Sequence, residues 1–111
     1  MSLPAPSLAE LNLLHSQMCQ AVADVKRIQI MYALYESPRN VTSLAEVLET
    51  PQPTISRHLT LLRERGLVIG ERDGASVVYR LSDERIIQVL DVMRHMLRAT
   101  LNQRTSAIEN A

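Results

Sequence analysis

Apolar residues recur at helical spacing from Leu8 onward, where Leu8, Leu11, Leu14, Met18 and Val22 form one stripe with Leu13 beside it. Residues three and four apart share a helix face, so this run predicts an amphipathic helix over 7–23, opened by the Ser7 hydroxyl. A second helix is expected from Asp24 or Val25 to Glu36, with Ile28, Met31, Tyr32 and Tyr35 supplying core. Leu44, Val47 and Leu48 define a short third helix, its first-turn amides met by Thr42 and Ser43. Thr50-Pro51 then reads as a cap followed by proline at the first helical position, where the missing N–H would have had no partner. In this fourth helix Ile55, Leu59 and Leu62 fall at i, i+4 and i+7 and face inward, and Gly66 ends it in a left-handed position. There the period changes. Residues 67–72 and 76–81 alternate as strands do, around Asp73-Gly74, a hairpin signal. From Ser82, expected to cap with Asp83 and Glu84 in the first turn, the helical period returns. Ile86, Leu90, Met93, Leu97 and Leu101 form one set along it, and Ile87, Val89, Val92 and Met96 a second.

A short helix, a tight turn, a second helix with a polar front end and then a hairpin is the plan of a winged helix-turn-helix. The expected fold is therefore mainly α with a small β-hairpin: about five helices plus a two-stranded antiparallel wing. We expect one domain over residues 1–111, with 1–6 a loose lead-in, 42–66 the helix-turn-helix and 67–81 the wing. The terminal helices, 7–23 and 82–103, are expected to dimerise. The last helix carries more apolar surface than one small domain covers, and an uncovered patch of that kind favours self-association. Leu11, Leu14, Met18, Leu90, Met93 and Leu97 are the expected interface.

The fourth helix carries the candidate chemistry. Gln52, Pro53, Thr54, Ser56, Arg57 and His58 lie off its apolar stripe near the amino end, where side chains meet base edges and phosphates. Thr42 and Ser43 can approach a phosphate from the third helix, and Arg72 and Gly74 from the wing. The predicted partner is double-stranded DNA.

These residues also carry a resemblance. The segments Val22-Ala23-Asp24-Val25-Lys26-Arg27-Ile28, Leu44-Ala45-Glu46-Val47-Leu48, 53–59, 62–68 and Val78-Tyr79-Arg80-Leu81 resemble the ArsR-type transcriptional repressors over roughly residues 20 to 82. The resemblance implies a small homodimeric winged-helix repressor that often leaves DNA when an inducer binds. It also implies where inducers bind in such proteins, and this chain departs from those patterns. The segment matching the family's Cys-x-Cys element is Asn40-Val41-Thr42-Ser43-Leu44, without sulfur, whereas a soft-metal thiolate site needs two or three sulfurs. Asp83 is followed two residues later by Arg85, where the family's zinc pattern on the last helix has a histidine. A basic residue is common in the family after the wing glycine and at position 60; here Ala75, Ser76 and Thr60 stand there.

Charge and composition sharpen the reading. Across 111 residues the formal net charge is zero, so DNA affinity must come from a local patch. Arg57, Arg63, Arg65, Arg72 and His58 stand against Glu64 and Glu71 in that stretch. With no Phe or Trp and three Tyr, there is no aromatic platform for single-stranded bases. The single cysteine excludes an internal disulfide, no stretch is apolar enough to cross a membrane, and the expected location is cytoplasmic. No cofactor is expected. His15 with Cys19, and Asp91 with His95, are i, i+4 pairs that would form a metal set if the terminal helices met; buried or surface roles explain them as well, and no metal is assigned. A metal or small-molecule inducer is possible but not indicated. No nucleophile–base set or phosphate-cradling glycine loop appears, so an enzyme is not expected. The alternative kept open is a winged-helix module that docks another protein on the same face.

Overall fold

The computed structural model describes residues 2–109; Met1, at the head of the expected lead-in, and Asn110 and Ala111 lie outside them. Five α-helices and one hairpin follow in the expected order: α1 (Leu8–Leu14), α2 (Val25–Glu36), α3 (Val41–Val47), α4 (Gln52–Glu64), β1 (Val68–Asp73), β2 (Ser76–Leu81) and α5 (Arg85–Glu109). The core gathers Ile30, Met31 and Leu34 of α2, Leu44 of α3, Ile55, Leu59 and Leu62 of α4, and Ile87 and Leu90 of α5. Each such fully buried side chain contributes roughly 1.5–3 kcal/mol.

The expected helix over 7–23 is not continuous. Ser7 does cap α1, accepting from the Glu10 amide at 3.1 Å. The chain then widens into a π-helical turn over His15–Cys19, closed by the Gln20 amide on the His15 carbonyl at 3.0 Å, and tightens into a 3₁₀ turn over Ala21–Ala23. Asp24 turns extended (φ −117°, ψ 127°) so that its carboxylate caps α2, accepting from the Lys26 amide at 2.8 Å and the Arg27 amide at 3.3 Å. Two helices cannot both continue through a residue in that conformation.

In α2 the buried face is Ile30, Met31, Ala33 and Leu34; of the four residues expected inside only Met31 is fully buried, and Tyr35 is 50% exposed. In α3 the cap is Asn40, whose Oδ1 accepts from the Ser43 amide at 2.8 Å, so Thr42 and Ser43 lie inside the helix rather than opening it. Thr50 does not cap α4 either. Its hydroxyl donates to the Leu48 carbonyl and accepts from Lys26 Nζ, both at 2.8 Å, and Pro51 takes the boundary without a side-chain cap. Gly66 ends α4 as expected, at φ +77°. The Gly66 amide reaches the Arg63 carbonyl at 3.0 Å and the Leu67 amide the Leu62 carbonyl at 2.9 Å, the paired bonds of a Schellman motif.

The hairpin turn sits one residue later than Asp73-Gly74. Asp73 pairs with Ser76, so Gly74 and Ala75 are the two loop residues, and only Gly74 has positive φ (+62°). That is the pattern of a II′ turn. A short bridge between Arg39 and Tyr79, bonded in both directions at 3.0 and 2.8 Å, fastens the wing to the start of the helix-turn-helix. Ser82 is not the cap of α5: its hydroxyl donates to the Gly66 carbonyl, while Asp83 Oδ1 accepts from the Arg85 amide at 2.9 Å. α5 then continues past 103 to Glu109.

Candidate nucleic-acid interface

α4 is mounted by its inner stripe. Ile55, Leu59 and Leu62 are 0% exposed, which leaves Gln52, Pro53, Ser56, Arg57 and Thr60 on the outer face, with Thr54 half-buried between. Among the described residues Arg57 makes no ion pair, so its guanidinium is available to an external anion. Thr60 returns its hydroxyl to the Ser56 carbonyl at 2.9 Å. On the wing Arg72 is exposed beside the turn and makes no ion pair among the described residues, whereas Arg80 is paired with Glu71 at 3.0 Å. Open space surrounds Gly74 at the tip.

Two expected contacts are engaged inside the protein instead. Ser43 Oγ accepts from Arg39 Nη1 at 3.1 Å. His58 is half-buried against the start of α2, with Nδ1 3.5 Å from Arg27 Nη1. Burial lowers its pKa below 6.5; the nearby cations Arg27, Arg57 and Lys26 push the same way, and the Asp24 carboxylate opposes them. The ring is therefore neutral near pH 7. Thr42 remains exposed at the start of α3.

Sequence reasoning missed Lys26 and Arg27, which tie the start of α2 to Thr50 and His58 across 24 and 31 positions that no local spacing signals. It also missed Arg39, whose side-chain partners Ala33, Glu36 and Ser43 are three to six positions away.

The expected interface residues divide. Leu11, Leu14, Met18, Met93 and Leu97 are 41–57% exposed, but Leu90 is only 4% exposed and belongs to this chain's own core. Between α2 and α5 lies an open apolar groove lined by Ile28, Tyr32, Leu90, Met93, Arg94 and Leu97. At its edge the Tyr32 hydroxyl donates to Asp91 Oδ1 at 2.6 Å, and Arg94 Nη1 donates to the same oxygen at 3.0 Å. Those two bonds, Tyr32's first, hold the Asp91 carboxyl below its ordinary pKa. Asp91 is thus already committed. His15 and Cys19 sit in the π-turn, which replaces the α-helical spacing that suggested them. No three His, Cys, Asp or Glu residues come together among the described residues, so the four metal candidates are not gathered within one chain. No described helix is long and apolar enough to cross a membrane.

Comparison with known proteins agrees with the winged-helix fold. Residues 24–69 match the model of the family described as bacterial regulatory protein, arsR family. The HTH-type transcriptional repressor SmtB of Mycobacterium tuberculosis H37Rv is 41% identical over 93 residues, 83% of this chain and 69% of that protein. The crystal structure of M. tuberculosis Rv0081 superimposes with a TM-score of 0.76 at 29% identity, covering 86% of this chain and 96% of that one. A solution structure of Mycobacterium bovis Mb0332, described as a homodimeric winged helix-turn-helix DNA-binding domain, gives a TM-score of 0.73 over 91% of this chain and 95% of that one. At 24% identity it supports the fold alone.

Proposed function

The chain belongs to the arsR family of bacterial regulatory proteins, and from that membership we propose that this DNA-binding transcriptional regulator acts as a homodimeric repressor on a palindromic operator. The observation that carries the proposal is the mounting of α4: three buried side chains fix it, and Gln52, Pro53, Ser56 and Arg57 stand clear beside the wing. Arg57 supplies the cation, Gln52 and Ser56 supply hydrogen bonds at base edges, and Thr54 lines the approach. Arg72 and the bare tip at Gly74 approach the neighbouring backbone, with Thr42 at the near end of α3. His58 and Ser43 hold the reading head rather than touching DNA.

The partner surface is the apolar face of α1 and the π-turn after it, with the middle of α5. Leu11, Leu14, Met18, Met93 and Leu97 are only about half covered within one chain, and a second copy would remove the rest of that surface from water. A two-fold dimer sets two α4 helices about one DNA turn apart, ~34 Å, and so selects a palindrome. Repression follows where the bound dimer blocks access to a promoter, and the place of action is the cytoplasm. The activity is binding without a catalytic step. Arsenite, lead or cadmium held by a thiolate cluster in α3 is not the inducer, because Asn40–Leu44 carries no sulfur.

Selection of the protein against a random duplex library, with and without zinc, tests this. Enrichment of a palindrome with half-sites one turn apart, with affinity falling steeply as salt rises, is the expected result. Arg57→Ala should weaken that binding while leaving the dimer intact. Failure to enrich any duplex overturns the proposal and favours a protein partner on the same face. A promoter fusion then checks the sign: expression that rises with the regulator overturns repression.

A further inference from the structure

Arg27 reaches three separate parts of the chain with one guanidinium. Its side chain is 14% exposed. Nε donates to the Ala21 carbonyl at 2.7 Å and Nη2 to the Gln20 carbonyl at 2.8 Å. Both carbonyls lie in the last turn of the N-terminal segment, where Asp24 ends the helix and leaves them without α-helical successors. On its other side Nη1 lies 3.5 Å from His58 Nδ1 on α4, and Asp24 Oδ2 is 3.9 Å away. The groups around His58 are Asp24 at the α2 cap, Lys26 and Arg27 on α2, and Arg57 beside it on α4. A guanidinium is planar and donates in a fixed fork, so it holds its partners at set positions in a way a lysine ammonium does not. The neutral imidazole, with Nδ1 as acceptor, is the form that completes this link.

We infer that Arg27, acting through His58, is the positioning residue by which the N-terminal segment fixes the placement of α4, and so fixes the half-site spacing that a dimer accepts. The inference rests on the reading of α4 as recognition helix and of the N-terminal segment as part of the dimer interface. In a two-fold pair, any slack between those two elements occurs twice and shifts one α4 relative to the other. DNA offers spacings only in steps of about 3.4 Å, one per base pair. A loosened link is therefore read as tolerance of a misplaced half-site.

The test uses the duplex enriched by the full chain, in three forms: the palindrome, the palindrome with one base pair inserted between half-sites, and a single half-site. The wild type should bind the inserted form about tenfold more weakly than the palindrome. Arg27→Leu and His58→Leu should each lose about tenfold on the palindrome, little on the half-site, and discriminate less against the insertion. Their combination should behave as either single change does. His58→Gln keeps an acceptor and should retain wild-type discrimination, whereas Arg27→Lys should not. Circular dichroism and sedimentation confirm that each variant is folded and dimeric; if the Arg27 changes unfold the chain, the two His58 variants still decide. Equal losses on half-site and palindrome for His58→Leu would mean that His58 touches DNA itself, and overturn the inference. Additive losses in the double variant, or undiminished spacing preference in both His58 variants, overturn it too. If no duplex is enriched at all, the recognition-helix reading falls first and this inference with it.

Discussion

Glu49 occupies the left-handed region at φ 49°, the position after the last turn of α3 where a residue without Cβ is favoured. The Glu49 amide bonds to the Glu46 carbonyl at 3.3 Å and the Thr50 amide to Ala45 at 2.9 Å, so the same closure that ends α4 at a glycine here ends α3 at a glutamate. A Cβ in this conformation costs roughly 1–2 kcal/mol, partly offset by the greater freedom a glycine has in the unfolded chain. Glu49→Gly should therefore raise stability by about 0.5–1 kcal/mol in urea denaturation with an unchanged slope; an unmoved midpoint would show that the turn carries no strain. His58 gives a prediction of opposite origin. Burial, reinforced by Arg27, Arg57 and Lys26 and opposed by Asp24, holds its folded pKa below 6.5. The unfolded chain then binds the proton more readily, so stability is flat above about pH 6.5 and falls as pH drops through the folded value. His58→Gln should flatten that part of the stability profile. A wild-type slope surviving in the variant between pH 7 and 5 would assign it to another group.

Elements were legible wherever a short-range rule fixed them. The Ile55, Leu59 and Leu62 stripe, the start of α2 at Asp24 and the stop at Gly66 all follow from neighbours within a turn or two, and the structure has each of them. Caps were less legible, because Asn40, Thr42 and Ser43 are all able to cap and only the backbone decides: Asn40 alone is extended (φ −88°, ψ 176°). The consequence is testable, since Asn40→Ala should cost about 1 kcal/mol whereas Thr42→Ala should stay within about 0.5 kcal/mol. Equal costs in chemical denaturation would return the cap to the hydroxyls. Long-range partners were not legible at all. Thr50 has the look of a cap until Lys26, 24 positions earlier, takes its hydroxyl. The helix expected over 7–23 passes into a π-turn at His15, and its end is set at Asp24, which caps α2 while Arg27 collects the Gln20 and Ala21 carbonyls. The half-burial of His58 was hidden for the same reason: its position beside Arg57 suggests an outward face, and its packing against α2 depends on contacts 31 residues distant. Nor could the sequence separate Leu90 from Met93 and Leu97, which share its stripe but lie farther along α5.

At the scale of the whole molecule, α5 runs from core to open solvent. Ile87 and Leu90, 2% and 4% exposed, seat its first turns, whereas Val92, Met93, Met96 and Leu97 are 50–64% exposed on the part that projects. α1 has no buried residue, and its Leu8, Leu11, Leu13 and Leu14 are all 43–75% exposed. Under the proposed dimer, one helix thus contains a folding part and an associating part, and substitutions on the two should fail in different ways. Leu90→Ala removes buried volume from within a single chain and should cost about 2–5 kcal/mol of stability at any protein concentration. Leu97→Glu puts a charge on the face left for the partner, where an unpaired buried carboxylate is costly only in the assembled state. It should yield a folded monomer whose circular dichroism matches the parent, whose melting temperature no longer depends on protein concentration, and whose binding to the palindrome drops to that of a single half-site. Sedimentation of the two variants side by side is decisive, because a Leu97→Glu protein that remains dimeric would remove the middle of α5 from the interface, and with it the geometric basis for two half-sites.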